Sequence, residues 1–261
     1  MAERVELRAE DALVAIDVQN DFCPGGALAV PRGDEVVAVI NRLTRRFPHV
    51  VLTQDWHPLG HASFASSHPG RKPFERIQLS YGEQVLWPDH CVPGTPGAEL
   101  HRDLDTLAAD LIVRKGSNPA IDSYSALYEN DHRTRTGLAG YLRDRGCRRL
   151  FLAGLATDFC VQYSALDARR EGFDVFVVED GVRGIDLDGS LAPAWERMTV
   201  AGVHRIREAD LEPHVLQQDR QGHEVDHDSR DAPARQALQV ASLNTRAVSR
   251  VYECDSHCTC R

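Results

Sequence analysis

Six short apolar runs alternating with stretches of helical periodicity constrain this chain more than any other feature. They are Ala12 to Gln19, His49 to Asp55, Asp110 to Gly116, the run beginning at Phe151, Asp174 to Asp180, and Val203 to Ile206. ALVAIDVQ has no two-residue alternation, which marks a strand buried on both faces of a parallel sheet. Between the runs lie helical patterns. Val36, Ile40, Leu43 and Phe47 fall on one face behind Asp34, a candidate N-cap, and TGLAGYLRDRG closes on Gly146. A third helix is expected from the Cys160 turn to about Glu171, and a fourth over LAPAWERMTVAG. Strand–helix alternation of this kind predicts an α/β fold. The expected architecture is a doubly wound (Rossmann-like), mostly parallel six-stranded sheet with helices on both faces, a three-layer α/β/α sandwich.

Such sheets place ligands beyond the carboxyl ends of their strands. Asp17, Asp55, Lys115 and Cys160 all fall at those ends. Taken singly, each has a bland reading: a surface carboxylate, a solvated lysine, a core thiol. Four chemically useful groups at four strand ends point instead to a site. Cys160 follows a strand and a tight turn, in the first turn of a helix. There the helix dipole would lower its pKa, and unpaired N–H groups could hold an oxyanion. A cysteine nucleophile needs a base and a cationic partner, roles open to Asp17 and Lys115; Cys–His chemistry is a competing arrangement.

The long loop from Trp56 to about Glu99 is rich in Pro, Gly, His and Ser, and loops of that length are functional or disordered. Asp55 and His57 are two residues apart in an extended segment, so both can point the same way. His90 can complete a set suited to Zn²⁺, Fe²⁺ or Mn²⁺. His61 is a candidate fourth ligand or a hydrogen-bonding neighbour of the ligands. His68 and His101 read as loop-surface residues.

Composition excludes several classes. There are 39 acidic against 30 basic side chains, a net charge of -9, and no basic block interleaved with aromatics. Nucleic acid is therefore not expected as a partner. No apolar run approaches the ~18 residues of a membrane span, and the N-terminal stretch does not resemble a signal peptide. Seven cysteines without repeating spacing in the first 211 residues argue against a disulfide framework, so a cytoplasmic location is expected. Residues 1–211 are expected to form one folded α/β domain. Residues 212–261 read as a polar, disordered or loosely attached tail. Its terminal Cys254, His257, Cys258 and Cys260 could ligate zinc, but no second ligand pair lies at a distance.

Six blocks carry a family resemblance: DVQNDF (17–22), QDWHPLGHASF (54–64), WPDHCVPGTPG (87–97), RKG (114–116), DSYSAL (122–127) and GLATDFCV (154–161). In order and spacing they resemble the nicotinamidases, which belong to the isochorismatase-like cysteine hydrolases. The resemblance covers roughly residues 11–211. It implies Asp17, Lys115 and Cys160 as a catalytic triad, and Asp55, His57 and His90 as ligands of one divalent metal ion. Oxyanion donors map onto the N–H groups of Ala156 and Cys160, with a cis peptide between Leu155 and Ala156. Phe22 and Trp87 map onto the pyridine pocket, the metal taking the ring nitrogen, and Tyr124 falls in a matching block. The implied reaction is hydrolysis of nicotinamide, and of the near-isosteric pyrazinamide, through a cysteine thioester in NAD salvage.

Three rivals remain. An amidase of the same superfamily acting on a carbamoyl or ureido substrate would not need the metal trio. Isochorismatase chemistry needs neither cysteine nor metal. A silent scaffold has no need of an intact triad. The resemblance leaves oligomeric state open, since relatives occur as monomers and as oligomers.

Overall fold

The computed structural model describes residues 4–212; the tail and its Cys/His cluster lie outside the described residues. The first central strand, β2 (Asp11–Ile16), is buried along its whole length. It follows a two-residue strand, β1 (Val5–Glu6). Helix α1 (Glu35–Leu43) leads to β3 (His49–Asp55), and after the long loop comes β6 (Leu111–Lys115). Helix α2 (Leu138–Asp144) precedes β7 (Arg149–Leu155), and α3 (Gln162–Arg170) precedes β8 (Asp174–Arg183). Helix α4 (Leu191–Val200) then leads to β9 (His204–Ile206).

These six strands form one parallel sheet in the order β6-β3-β2-β7-β8-β9. Strands are added to one side of β2 until β6, and β7 then returns to its other side. The order reverses between β2 and β7, which opens a crevice above their carboxyl ends. Helix α1 packs on β7 and β8, α3 on β8, and α4 on α3. The expected three-layer α/β/α architecture is therefore the one observed.

Two differences from the sequence expectation are local. Asp34 makes no capping bond, since its backbone is already helical at φ -64°; Arg32 instead grips Glu35 in the first turn. The long loop is not structureless. It contains an antiparallel hairpin of β4 (Arg76–Leu79) and β5 (Gly82–Val85), outside the central sheet.

The amino end of the sheet is closed by a buried ion pair. Arg149 at the start of β7 donates two 2.6 Å bonds to the Asp11 carboxylate at the start of β2. The remaining groups are also used: Asp11 accepts the Arg8 N–H at 2.7 Å, and Arg149 donates to the Glu6 carbonyl at 2.7 Å. Beside this pair β1 runs parallel to β10 (Leu211–Glu212), joining the two ends of the described chain.

Candidate active site

At the opposite end, three adjacent strands each deliver one charged group to the crevice. Asp17 follows β2 in a left-handed conformation (φ 50°), which aspartate tolerates better than most residues. Its Oδ1 accepts a 2.5 Å bond from the Thr53 hydroxyl on β3. Parallel register sets Asp55 opposite Lys115. Gln19 holds the end of β3 by accepting from the Asp55 N–H at 2.8 Å and donating to the Asp55 carbonyl at 2.9 Å.

Lys115 is the centre of the cluster. Its Nζ lies 2.8 Å from Asp17 Oδ2 and 2.5 Å from Asp55 Oδ1. It also donates to the Ser123 carbonyl at 2.7 Å and stands 3.5 Å from Cys160 Sγ. Lys115 is the partner of Asp17 Oδ2 among the described residues, and the carboxylate stands beside the Cys160 thiol.

Cys160 is carried by a π-helical turn, Thr157–Val161, that precedes α3. The turn begins where β7 ends. Gly154 adopts φ +116° there, and a Cβ on it would fall 2.1 Å from the Ile16 carbonyl oxygen, so only glycine lets β7 pass β2 this closely. The Leu155–Ala156 peptide is cis. The Ala156 carbonyl accepts from Phe159 and Val161, whereas the Ala156 N–H donates to no acceptor among the described residues.

The expectation that the helix end would lower the Cys160 pKa is not met. Cys160 is only 6 % exposed. Burial pushes its thiol well above the ordinary range; Lys115 pulls it down, but Asp17 and Asp55 oppose that pull. Desolvation and two nearby carboxylates outweigh both the helix end and the single ammonium. Burial also raises Asp17, with Lys115 offsetting only part of the effect. For Asp55 burial works upward too, yet Lys115 and His57 overcome it and hold the carboxyl well below its usual range. Burial works against a charged Lys115, but Asp17 and Asp55 raise it well above normal, so the ammonium persists. The resting cluster thus favours a neutral thiol, an ammonium and an ionised Asp55.

The other oxygen of Asp55 faces two imidazoles, with His57 Nε2 at 3.4 Å and His90 Nε2 at 3.7 Å. The opposite ring nitrogens are committed: His57 Nδ1 bonds the Gly116 carbonyl at 3.0 Å and His90 Nδ1 the Pro88 carbonyl at 2.8 Å. Both Nε2 atoms therefore converge on a carboxylate, an arrangement that a cation or a proton between them steadies. Its donor types suit a divalent metal, with backbone carbonyls fixing the tautomers. Gly116 belongs to this support, since a Cβ on it would meet His57 Cε1 at 2.4 Å. His61 packs against His57 with ring centroids 4.4 Å apart and planes inclined by 39°, and Ser63 engages its Nδ1 and the Asn118 carbonyl its Nε2.

A narrow cleft joins the two clusters. Phe22, Trp87 and Tyr124 line it, together with Cys160, Ala156 and the Asp55–His57–His90 trio. Sequence reasoning missed four wall residues: Leu28, Asp122, Phe159 and Ile185. Asp122 opens the DSYSAL block, and its Oδ1 lies 3.7 Å from His57 Nε2. Phe159 sits edge-on to Trp87 and Tyr124, with centroids 4.9 and 5.6 Å away. Its place immediately before Cys160 was the available signal.

Fold and cleft together define a class: an enzyme of the doubly wound α/β type, working at the strand-order reversal of a parallel sheet. The chain belongs to the isochorismatase family, whose Isochorismatase domain matches residues 11–210. It is 51% identical over 211 residues to the nicotinamidase of Acinetobacter baylyi, covering 79% of this chain and 99% of that relative. The solved nicotinamidase/pyrazinamidase of Acinetobacter baumannii superposes with a TM-score of 0.77 at 55% identity, covering 78% of this chain and 98% of the other. The pyrazinamidase of Pyrococcus horikoshii, solved in complex with zinc, gives 0.62 at 36% identity, covering 76% and 99%. No helix among the described residues is long and apolar enough to cross a membrane.

Proposed function

We propose that this chain is a nicotinamidase, hydrolysing nicotinamide to nicotinate and ammonia in NAD salvage and accepting pyrazinamide as well. One observation carries the reading: a single buried ammonium, Lys115, touches both Asp17 and Asp55 and approaches Cys160, beside a carboxylate–imidazole trio in an aromatic cleft. Near-complete coverage of a nicotinamidase at 51% identity supports it.

In this reading Asp17 accepts the Cys160 proton as sulfur attacks the carboxamide carbon. Asp17 starts with its Oδ2 paired to Lys115, beside a thiol that stays protonated until needed, and Lys115 steadies the developing thiolate. The tetrahedral oxyanion rests on the N–H groups of Ala156 and Cys160. Asp17 returns its proton to the departing amine, ammonia leaves, and water hydrolyses the thioester with Asp17 again as base. Asp55, His57 and His90 would hold one divalent metal, which when bound supplies a Lewis acid for the ring nitrogen. His61 supports His57 by packing against its ring. Phe22, Trp87 and Tyr124 confine the ring.

Residues 1–211 are proposed to carry the whole activity, in a cytoplasmic enzyme acting on a small molecule, as monomer or homo-oligomer. The test is ammonia and nicotinate release from nicotinamide by the purified chain, with pyrazinamide, an N-carbamoyl amino acid and isochorismate in parallel. Turnover of the N-carbamoyl compound alone would favour the amidase rival, and turnover of none would favour a scaffold.

A further inference from the structure

The β4–β5 hairpin stands apart from the central sheet, yet one of its side chains is fully buried beneath the cleft. Gln84 shares its two amide hydrogens among the Val85 carbonyl at 2.7 Å, Asp122 Oδ2 at 2.8 Å and the Tyr124 hydroxyl at 2.9 Å. Its carbonyl accepts from the Tyr81 hydroxyl at 3.0 Å. Both cleft residues that it grips have further partners. The Tyr124 oxygen also accepts the Trp87 indole N–H at 3.1 Å. Asp122 Oδ1, on the other side, faces His57 and accepts the Ser123 N–H at 2.7 Å.

We infer that Gln84 is a positioning residue for substrate binding. It fixes, through one planar amide, both the aromatic wall (Tyr124 and Trp87) and the carboxylate beside His57. Gln84 touches neither Cys160, Asp17 nor Lys115. Its influence falls on how the ring is held, not on bond making. An amide is required here. A carboxylate of the same shape would stand against Asp122, and a thioether would leave Asp122 and the Tyr124 oxygen short of donors.

This inference rests on the nicotinamidase reading, and the experiment separates the two. Gln84→Met and Gln84→Glu are compared with the full-length wild-type chain for kcat and KM on nicotinamide, for bound metal, and for the rate of Cys160 alkylation. Gln84→Met is near in volume and keeps the side chain unbranched, so the hairpin retains its packing; circular dichroism and thermal melting check this. Expected is a KM about tenfold higher in Gln84→Met and higher still in Gln84→Glu. In both, kcat should stay within about twofold and Cys160 alkylation should be unchanged. Wild-type KM in both variants, or a loss confined to kcat, overturns the assignment. Equal loss in both variants with a broadened melting transition also overturns it, because that marks a purely structural residue. If wild type itself releases no ammonia, the reading of function fails, not the role of Gln84.

Discussion

Strand β2 carries an aspartate at each end, and both are buried against a cation, yet the two settings are built differently. At the amino end Asp11 meets Arg149 in a two-pronged contact in which the surrounding N–H and C=O groups are also used. At the carboxyl end a single ammonium is divided between two carboxylates, a carbonyl and a thiol. The first arrangement has one stable configuration. The second shares one ammonium among more acceptors than it has hydrogens. Burial alone does not distinguish structure from chemistry; the completeness of the hydrogen bonding does.

The comparison is sharpest in what each aspartate should do when neutralised. Cys160→Ala should remove turnover altogether, since no other group can form the acyl intermediate. Asp17→Asn should lower kcat by about 10³-fold, within the range for loss of a general acid–base. The double variant should be little worse than Cys160→Ala, because the residues act as one unit. Melting temperature should hardly change in Asp17→Asn, as Lys115 keeps Asp55 and the Ser123 carbonyl. A large fall in melting temperature would erase the contrast with Asp11.

Asp11→Ala should behave in the opposite way. It leaves Arg149 buried without its partner, at a cost of about 3–5 kcal/mol of stability. The folded fraction should keep a normal kcat, measured as activity per folded molecule by denaturant titration. An Asp11→Ala protein of full stability but poor turnover would reverse the assignment of the two ends.

How much of this was legible in the sequence follows from the same physics. The strands of the central sheet were readable because burial on both faces demands continuous apolar runs such as Ala12 to Ile16. Asp17, Asp55 and Lys115 were readable because each directly follows or ends such a run, and Cys160 because it lies one tight turn beyond the run that ends at Leu155. The β4–β5 hairpin was not: RIQL and GEQV alternate weakly and carry one apolar residue or two apiece, and the hairpin pairs only with itself. Gln84 therefore looked like an ordinary loop residue. The burial that raises the Cys160 pKa was likewise invisible, since it depends on how loops distant in sequence close over the turn.

A smaller effect is expected at the imidazoles. His57→Ala should abolish metal content and raise KM for nicotinamide by about tenfold or more, while Cys160 still reacts with a small alkylating agent. The measurements are elemental analysis, steady-state kinetics and mass spectrometry of the labelled peptide. Retention of full substrate affinity in the metal-free variant would remove the trio from the binding site. The smallest effect is predicted for the remaining described cysteines away from the cleft. Cys23, whose thiol burial pushes up to about 11, and Cys147 contribute packing only, so Cys23→Ala and Cys147→Ala should each keep kcat within about twofold. A tenfold loss in either would mean that the thiol chemistry is not confined to Cys160.

The short parallel ladder between Val5–Glu6 and Leu211–Glu212 has a practical consequence of its own. It brings the first and last described strands side by side at the pole of the sheet that carries Asp11 and Arg149, while the cleft opens at the other pole. An affinity handle, a fluorophore or a solid support attached before Val5 would therefore be held away from the entrance for substrate. The same closeness lets a brief peptide bridge join residues 5 and 212, so that the reading frame can be reopened at a different surface turn. A permuted chain made this way would keep its catalytic mouth unobstructed while offering two new attachment points.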